Sequence, residues 1–388
     1  MLHTLAIANY RSLRDVVLPL ERMNLVTGAN GSGKSNLYRA LRLLSETAFG
    51  GGVQAIGREG GLSSVLWAGP EQFAKSVRRG EHPVQGGPRR DPVNLRLGFG
   101  GDDFSYSIEY GLPVPVPRTM FGKDPEIKRE VIWHGDTWHE RRALVDRKGG
   151  LVRSRDENGA WQVVEQHLPT FDSMVSRIAD PERAPEAVLL REQVRSWRFY
   201  DHFRTDADAP ARHARIGVRT PVMSNDGHDL AVAWRTIMEI GDADALAAAV
   251  EDAFPGAEVE VEEQADTFQL LFRQHGLLRP LSQAELSDGT LRYLLWIAAL
   301  LTPRPPSLMV LNEPETSIHP DLLPALARLM RHSATETQVW VTSHATALVE
   351  ALTESGDCNH IQLDKDMGET TLSNFAPLEL PPWRWPPR

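Results

Sequence analysis

The chain has 388 residues, a formal net charge of -10 and one cysteine, Cys358. At roughly 100–200 residues per domain, that length holds two or three modules. A lone cysteine excludes an internal disulfide and a cysteine-built zinc site, and the acidic balance excludes a uniformly basic nucleic-acid coat while leaving room for a local arginine stripe.

In chain order, the opening MLHTLAIANYRS has no basic leader, no long apolar run and no small-residue cleavage site, so a first strand and a cytoplasmic location are expected. Residues 5–8, 16–20 and 24–26 read as short strands. The glycine-rich stretch 28–33 follows, and then residues 36–49 place Leu37, Ala40, Leu41 and Leu44 at helical spacing. Between 50 and 101 Gly and Pro recur, and HPVQGGPRRDP at 82–92 reads as a loop. Alternation at 94–98, 104–110, 131–134 and 161–164, with turns at Gly135-Asp136 and Asn158-Gly159, predicts an antiparallel sheet. Helical spacing then marks 184–203, 230–240 and 243–254.

Strand-like sequence returns at 257–261 and 268–272. A helix at 290–301, an apolar strand at 308–311, a helix at 322–332 and a second apolar strand at 338–342 complete the pattern. Such alternation predicts an α/β fold with a mainly parallel core sheet. The apolar run 291–301 carries Arg292 and stops before Pro303, short of the ~18–20 apolar residues of a bilayer span, so no membrane span is expected. The tail LPPWRWPPR, residues 380–388, is extended by composition, and its two Trp side chains can dock on the body or on a partner.

Two constellations carry chemistry. Gly28, Gly33, Lys34 and Ser35 satisfy G-x-x-x-x-G-K-S within GANGSGKS. Glycines let backbone N–H groups turn inward on phosphates, the lysine reaches the β/γ oxygens, the serine hydroxyl faces Mg²⁺, and the following helix presents its positive end. Downstream, the apolar strand in MVLNEPETSIHP ends at Asn312 and Glu313, where a carboxylate can address an attacking water; Glu313 is the expected base.

With these two motifs, the LSDGT at 286–290 and the TSHA containing His344, the chain resembles ABC-type ATPase heads of the RecF/SMC/OLD class, a predicted AAA-family ATPase without coiled-coil arms. Residues 8–12 and Asn36 also match. The resemblance implies a P-loop NTPase ABC-ATPase head that uses ATP and Mg²⁺, with an antiparallel β subdomain and an inserted helical lobe. Nucleotide contacts then fall to Gly28, Ala29, Asn30, Gly31, Ser32, Gly33, Lys34, Ser35 and Asn36. Ser35 and Asn312 face the metal, and His344 faces the γ-phosphate. Ser287 and Gly289 act on the nucleotide of a second copy, which implies an ATP-dependent homodimer. The expected domains are a discontinuous head, 1–165 and 256–375, an inserted helical module, 166–255, and a Pro/Trp-rich tail, 376–388.

Two positions depart from transporter heads, which have Asp where this chain has Asn312 and again where it has His319. Losing a carboxylate near Mg²⁺ removes an attraction of about 4 kcal/mol at ~4 Å and an effective dielectric near 20, so slow turnover is expected, with Glu315 the nearby carboxylate able to replace the charge. Gln72 is the candidate for the glutamine loop. DNA or a partner protein is the expected ligand of the insertion. Arg191, Arg195, Arg198, Arg204, Arg212, Arg215 and Arg219 lie among Trp197, Phe199, Tyr200 and Phe203, which fits either a base-stacking surface or an amphipathic core helix. A second basic cluster is Arg141, Arg142, Arg147, Lys148, Arg153 and Arg155. The function these features imply is slow ATP hydrolysis coupled to DNA repair, DNA maintenance or phage defence; the alternatives are a transporter's ATPase subunit and a barely hydrolysing ATP switch.

Overall fold

The computed structural model describes residues 1–70, 79 and 93–387. The expected loop at 82–92 and Gln72 lie outside the described residues, apart from which the chain forms two compact units. The first comprises Met1–Leu20, Gly28–Ser196 and Ile361–Arg388, the second Glu21–Thr27 and Trp197–His360. Residues 166–255 contribute to both units, 166–196 to the first and 197–255 to the second.

In the first unit, eight strands pair antiparallel in the order Leu13–Pro19, Leu2–Tyr10, Leu95–Gly101, Ser105–Gly111, Glu126–Trp133, Ala143–Lys148, Leu151–Arg155, Trp161–Glu165. The expected β subdomain and the two opening strands are thus one sheet, and the turns at Gly135 and Asn158-Gly159 fall where the sequence placed them. Helix α1, Lys34–Ala48, buries Leu37, Tyr38, Ala40, Leu41, Leu43 and Leu44, a wider stripe than four apolar positions suggested. Within the sheet Arg147 and Glu130 form a fully buried ion pair at 2.6 Å, both 0% exposed, and each also bonds to the segment after the last strand. Glu130 also accepts from Tyr106 Oη at 2.7 Å, Ser173 Oγ at 2.5 Å and the Met174 amide at 2.8 Å. Arg147 donates to the carbonyls of Gly149, Pro169 and Asp172. Burial and the Glu130 charge push the Tyr106 phenol well above its ordinary range, which keeps it a donor.

The tail docks on this same unit. Trp383 packs 5.3 Å from Trp133, Trp385 stands edge-on to Trp383 at 5.4 Å, and Thr137 donates to the Pro382 carbonyl. Position 98 is glycine because a Cβ there would lie 2.7 Å from the Trp383 ring.

The second unit holds the parallel sheet, ordered Arg198–Tyr200, Leu308–Asn312, Gln338–Thr342 and then residues 23–26 of the strand Met23–Gly28. Its strands Leu308–Asn312 and Gln338–Thr342 are almost wholly buried, as continuous apolar runs require. Helix Asp288–Leu300 is buried on every side from Leu291 onward. Helices Leu230–Ile240, Ala243–Ala253 and Leu323–Ser333 pack in the same core, beside the antiparallel pair Glu258–Gln264 and Thr267–Arg273. One expectation fails: the helix expected over 184–203 ends at Ser196, and Arg198–Tyr200 is an edge strand parallel to Leu308–Asn312. Aromatic Phe199 and Tyr200 favour a strand, and pairing with the core sheet overrides the helical spacing.

Replacing Arg147 by Met is expected to leave Glu130 buried and unpaired and to destabilise the first unit by about 3–5 kcal/mol, read as a lower midpoint in urea unfolding followed by tryptophan fluorescence.

Candidate functional site

The glycine loop, in the first unit, is built by backbone freedom. Gly28, Gly31 and Gly33 have φ of 148°, 82° and 117°, in the region L side chains rarely enter. A Cβ at Gly28 would stand 2.5 Å from the Leu363 carbonyl, and one at Gly33 would collide with the Thr370 hydroxyl, whereas Gly31 faces open space and needs glycine for its φ alone. Ala29 and Asn30 form the exposed rim. Lys34 is 7% exposed and its ammonium donates to the carbonyls of Gly28 at 2.5 Å and Ala29 at 3.2 Å. Helix α1 begins without a side-chain cap, and Ser35 is exposed on its first turn.

A one-way chain of hydrogen bonds holds the loop. Asn36 Nδ2 donates to Ser12 Oγ at 2.8 Å, Ser12 meets Thr370 Oγ1 at 2.7 Å, and Thr370 Oγ1 donates to the Ser32 carbonyl at 2.7 Å. Since Thr370 spends its hydrogen on Ser32, Ser12 donates to Thr370 and accepts from Asn36. The Thr370 amide closes the link on the Ser12 carbonyl at 2.8 Å. Ser32 Oγ is left buried with no partner, an orphaned donor inside a cradle that a Cβ would fill, which fits an absent phosphate. Sequence reasoning marked Ser12 and Asn36 but missed Thr370, more than 300 residues further on, for which no local signal exists.

The carboxylate end, in the second unit, turns sharply. Glu313 has φ 49°, and its amide donates to the Thr342 carbonyl at 2.8 Å. Such a backbone costs a non-glycine residue of order 1–3 kcal/mol and concentrates where a side chain must be aimed. Its carboxylate is 45% exposed. His344 Nδ1 lies 3.6 Å from Glu313 Oε1 and 3.4 Å from Glu315 Oε1, so these two carboxylates and the imidazole converge. Asn312 stands opposite Thr342 in the parallel register. Glu315, expected as a spare charge for a metal, is instead buried: Oε1 accepts from Ser343 Oγ and the amides of His344 and Ala345.

Ser287 caps helix Asp288–Leu300, accepting from the Thr290 amide at 3.2 Å, and remains exposed. Gly289 lies against the Ser317 carbonyl, which a Cβ would approach to 3.1 Å. Two arginines brace this end. Arg212 donates to Asp288 at 2.7 Å and to the carbonyls of Thr205, Ala284 and Leu286. Arg292, buried within the apolar helix, donates to the carbonyls of Thr316 at 2.6 Å and Phe203 at 3.0 Å and to Thr205 Oγ1 at 3.0 Å. Burial, then the Arg292 charge, pulls His202 below the usual imidazole range, leaving its Nε2 free to accept from Arg292 at 3.3 Å. Neither arginine was assigned this role from sequence, although a charge inside the run 291–301 was the available signal.

The first arginine–aromatic cluster is not a stacking surface. In the second unit Trp197, Phe199, Tyr200 and Phe203 are core residues, Arg212 is the brace just described, and Arg204 and Arg219 pair with Asp206 and Glu239. In the first unit Arg195 donates to the Ala48 carbonyl and lies over Phe49. Of the amphipathic alternative the core placement of the aromatics holds, since burying four large rings outweighs anything they gain in solvent, but they lie beyond the helix that ends at Ser196. The second cluster is partly exposed: Arg147 is buried, but Arg153 and Arg155 flank Trp161 at 5.1 and 4.2 Å, and Arg141, Arg142 and Lys148 are exposed.

Among the described residues no group of three His, Cys, Asp or Glu side chains is placed to hold a metal by itself, and no helix is long and apolar enough to cross a membrane. The DNA replication and repair protein RecF of Idiomarina loihiensis is 33% identical over 84 residues, 20% of this chain and 23% of that protein, so the chain matches under a quarter of this curated relative's length. Among solved structures, an SMC head bound to the C-winged helix domain of ScpA is 13% identical with a TM-score of 0.49, the match covering 96% of this chain and 97% of that one. The SMC head domain from Thermotoga maritima is likewise 13% identical, with a TM-score of 0.44 over 97% of this chain and 99% of the other. A family model described as "AAA domain, putative AbiEii toxin, Type IV TA system" matches residues 23–350, in agreement with the RecF-like motifs. With most of its length matched by that model, the chain belongs to this AAA domain family.

Proposed function

We propose that this chain binds ATP with Mg²⁺ and hydrolyses it slowly, two copies closing on their nucleotides to engage DNA or a partner protein. The observation that carries the reading is the glycine loop, with three positive-φ glycines, a buried lysine folded over it and an orphaned serine hydroxyl inside it. Its amides, Lys34 and the uncapped start of α1 bind the phosphates. Ala29, Asn30, Gly31 and Ser32 form the cradle, and Asn36 keeps it in shape through Ser12.

Ser35 and Asn312 would hold Mg²⁺, which supplies positive charge against the phosphate oxygens. This neutral donor pair suits an ion that keeps several waters and takes its anionic ligands from phosphate, and it accounts for slow turnover. Glu313 accepts a proton from the attacking water, and His344 donates a hydrogen bond to the γ-phosphate. Ser287 and Gly289 reach the nucleotide of the second copy, for which the exposure of Ser287 and the place of both residues at a helix start are suited. Engagement of DNA is supported by the short match to a DNA replication and repair protein, while the family's description names a putative toxin of a type IV TA system. Half-buried Arg153 and Arg155 beside Trp161, with the exposed Arg141, Arg142 and Lys148 of the same cluster, are the surface we assign to nucleic acid.

Lys34→Ala is expected to weaken nucleotide affinity by about 10- to 100-fold, the worth of hydrogen bonds to a charged group, in a fluorescent-ATP titration. Thr370→Val should weaken it by about fivefold through the loop and, by leaving the Ser32 carbonyl and the Ser12 hydroxyl without a partner, lower stability by about 1–3 kcal/mol, read as a lower unfolding midpoint. The mass of Glu313→Gln in solution should double with ATP and not with ADP; a monomer under both conditions would count against the paired copies. Asn312→Asp should raise the hydrolysis rate and lower the Mg²⁺ needed for half-maximal rate, and no change in either would acquit Asn312. Reversing Arg153 and Arg155 to Glu should lower DNA affinity in ATP and flatten its log–log salt dependence by about 0.9 per lost phosphate contact; unchanged gel shifts would remove this surface.

A further inference from the structure

His344 sits in a short loop after the buried strand Gln338–Thr342, and what grips that loop is Glu315. One oxygen, Oε1, takes the Ser343 hydroxyl at 2.7 Å, the His344 amide at 2.9 Å and the Ala345 amide at 3.3 Å. Ser343 doubles the grip by accepting from the Ala345 amide at 3.2 Å, and its own amide donates to the Val26 carbonyl. The Glu315 side chain is 5% exposed, and its second oxygen, Oε2, is buried with no partner. Leaving a carboxylate oxygen unsatisfied in the interior is costly. Its retention is explained if the residue's task is to collect the loop's donors from a rigid point two residues beyond Glu313. The His344 ring then rests 3.4 Å from Glu315 and 3.6 Å from Glu313.

We infer that Glu315 is a positioning residue, fixing the loop 343–345 against the end of strand Leu308–Asn312 so that the His344 imidazole is held beside Glu313. The inference deepens the proposed hydrolysis and rests on it. Glu315 acts through His344 and through loop geometry, its Oε1 being shared by the three donors of the loop.

The test has a structural arm and a kinetic arm. By amide hydrogen exchange, Glu315→Ala should accelerate exchange at His344 and Ala345 by tenfold or more, while Glu315→Gln, whose amide oxygen still accepts, should protect them nearly as well as the natural residue. In steady-state hydrolysis, Glu315→Ala should lower kcat by about 10- to 100-fold, the scale of a misplaced group, with fluorescent-ATP affinity within twofold. The double variant Glu315→Ala, His344→Ala should be no slower than His344→Ala alone, since one residue works through the other. Ser343→Ala, a milder change, should show the same exchange signature if Glu315→Ala does not fold. Additive losses in the double variant, unaccelerated amides, or a shifted Mg²⁺ requirement with normal exchange would each overturn the inference. A natural chain that binds but does not hydrolyse ATP would overturn the proposed function, and the exchange arm would still decide whether Glu315 holds the loop.

Discussion

The hydroxyl chain from Asn36 through Ser12 and Thr370 to the Ser32 carbonyl is the interaction on which the phosphate cradle depends. Positive-φ glycines make the loop possible, but they do not choose one conformation, since glycine is free to leave it. The choice is made by donors whose order is forced: each hydroxyl gives its single hydrogen onward, and the terminal acceptor is a loop carbonyl. Close packing finishes the work, because any side chain at Gly28 or Gly33 would strike the Leu363 carbonyl or Thr370. The same two residues belong to the hairpin of Asn359–Asp366 and Glu369–Leu372, so the last strands of the chain shape a loop near its beginning.

The second unit solves a related problem with charge. An apolar parallel sheet delivers Asn312 and Glu313 to its carboxyl edge, and the left-handed backbone at Glu313 aims its carboxylate into solvent. Around it, buried charges spend their hydrogen bonds on backbone. Glu315 collects the histidine loop, Arg292 holds the carbonyl of Thr316, and Arg212 holds the carbonyls ahead of Ser287. Loop conformations that backbone alone leaves loose are thereby set by side chains inside the core, which is where a low dielectric makes such bonds count most.

The tail and the arginines show how burial reassigns residues that look available. Trp383 and Trp385 have the composition of a free recognition segment, yet the first rests on Trp133 and on the bare face of Gly98. The aromatic residues at 197–203 have the spacing of a nucleic-acid platform, yet they are core. What remains at the surface is a different set, Arg141, Arg142 and Lys148, beside half-buried Arg153 and Arg155, which flank Trp161.

Much of this protein is legible in one dimension, for a physical reason. The glycine loop, the helix after it, the strand ending in Asn312 and Glu313, the capped helix at Ser287 and the histidine after Thr342 are contiguous. Each is dictated by φ freedom, apolar periodicity or capping chemistry acting within about ten residues. The tertiary structure alone decided that Thr370 completes the cradle, that Glu315 serves the histidine loop, that Arg212 and Arg292 are braces, and that 198–200 is a strand. Those outcomes rest on groups brought together from distant parts of the chain, where burial and a forced order of donors prevail over local preference, and no stretch of sequence contains both partners.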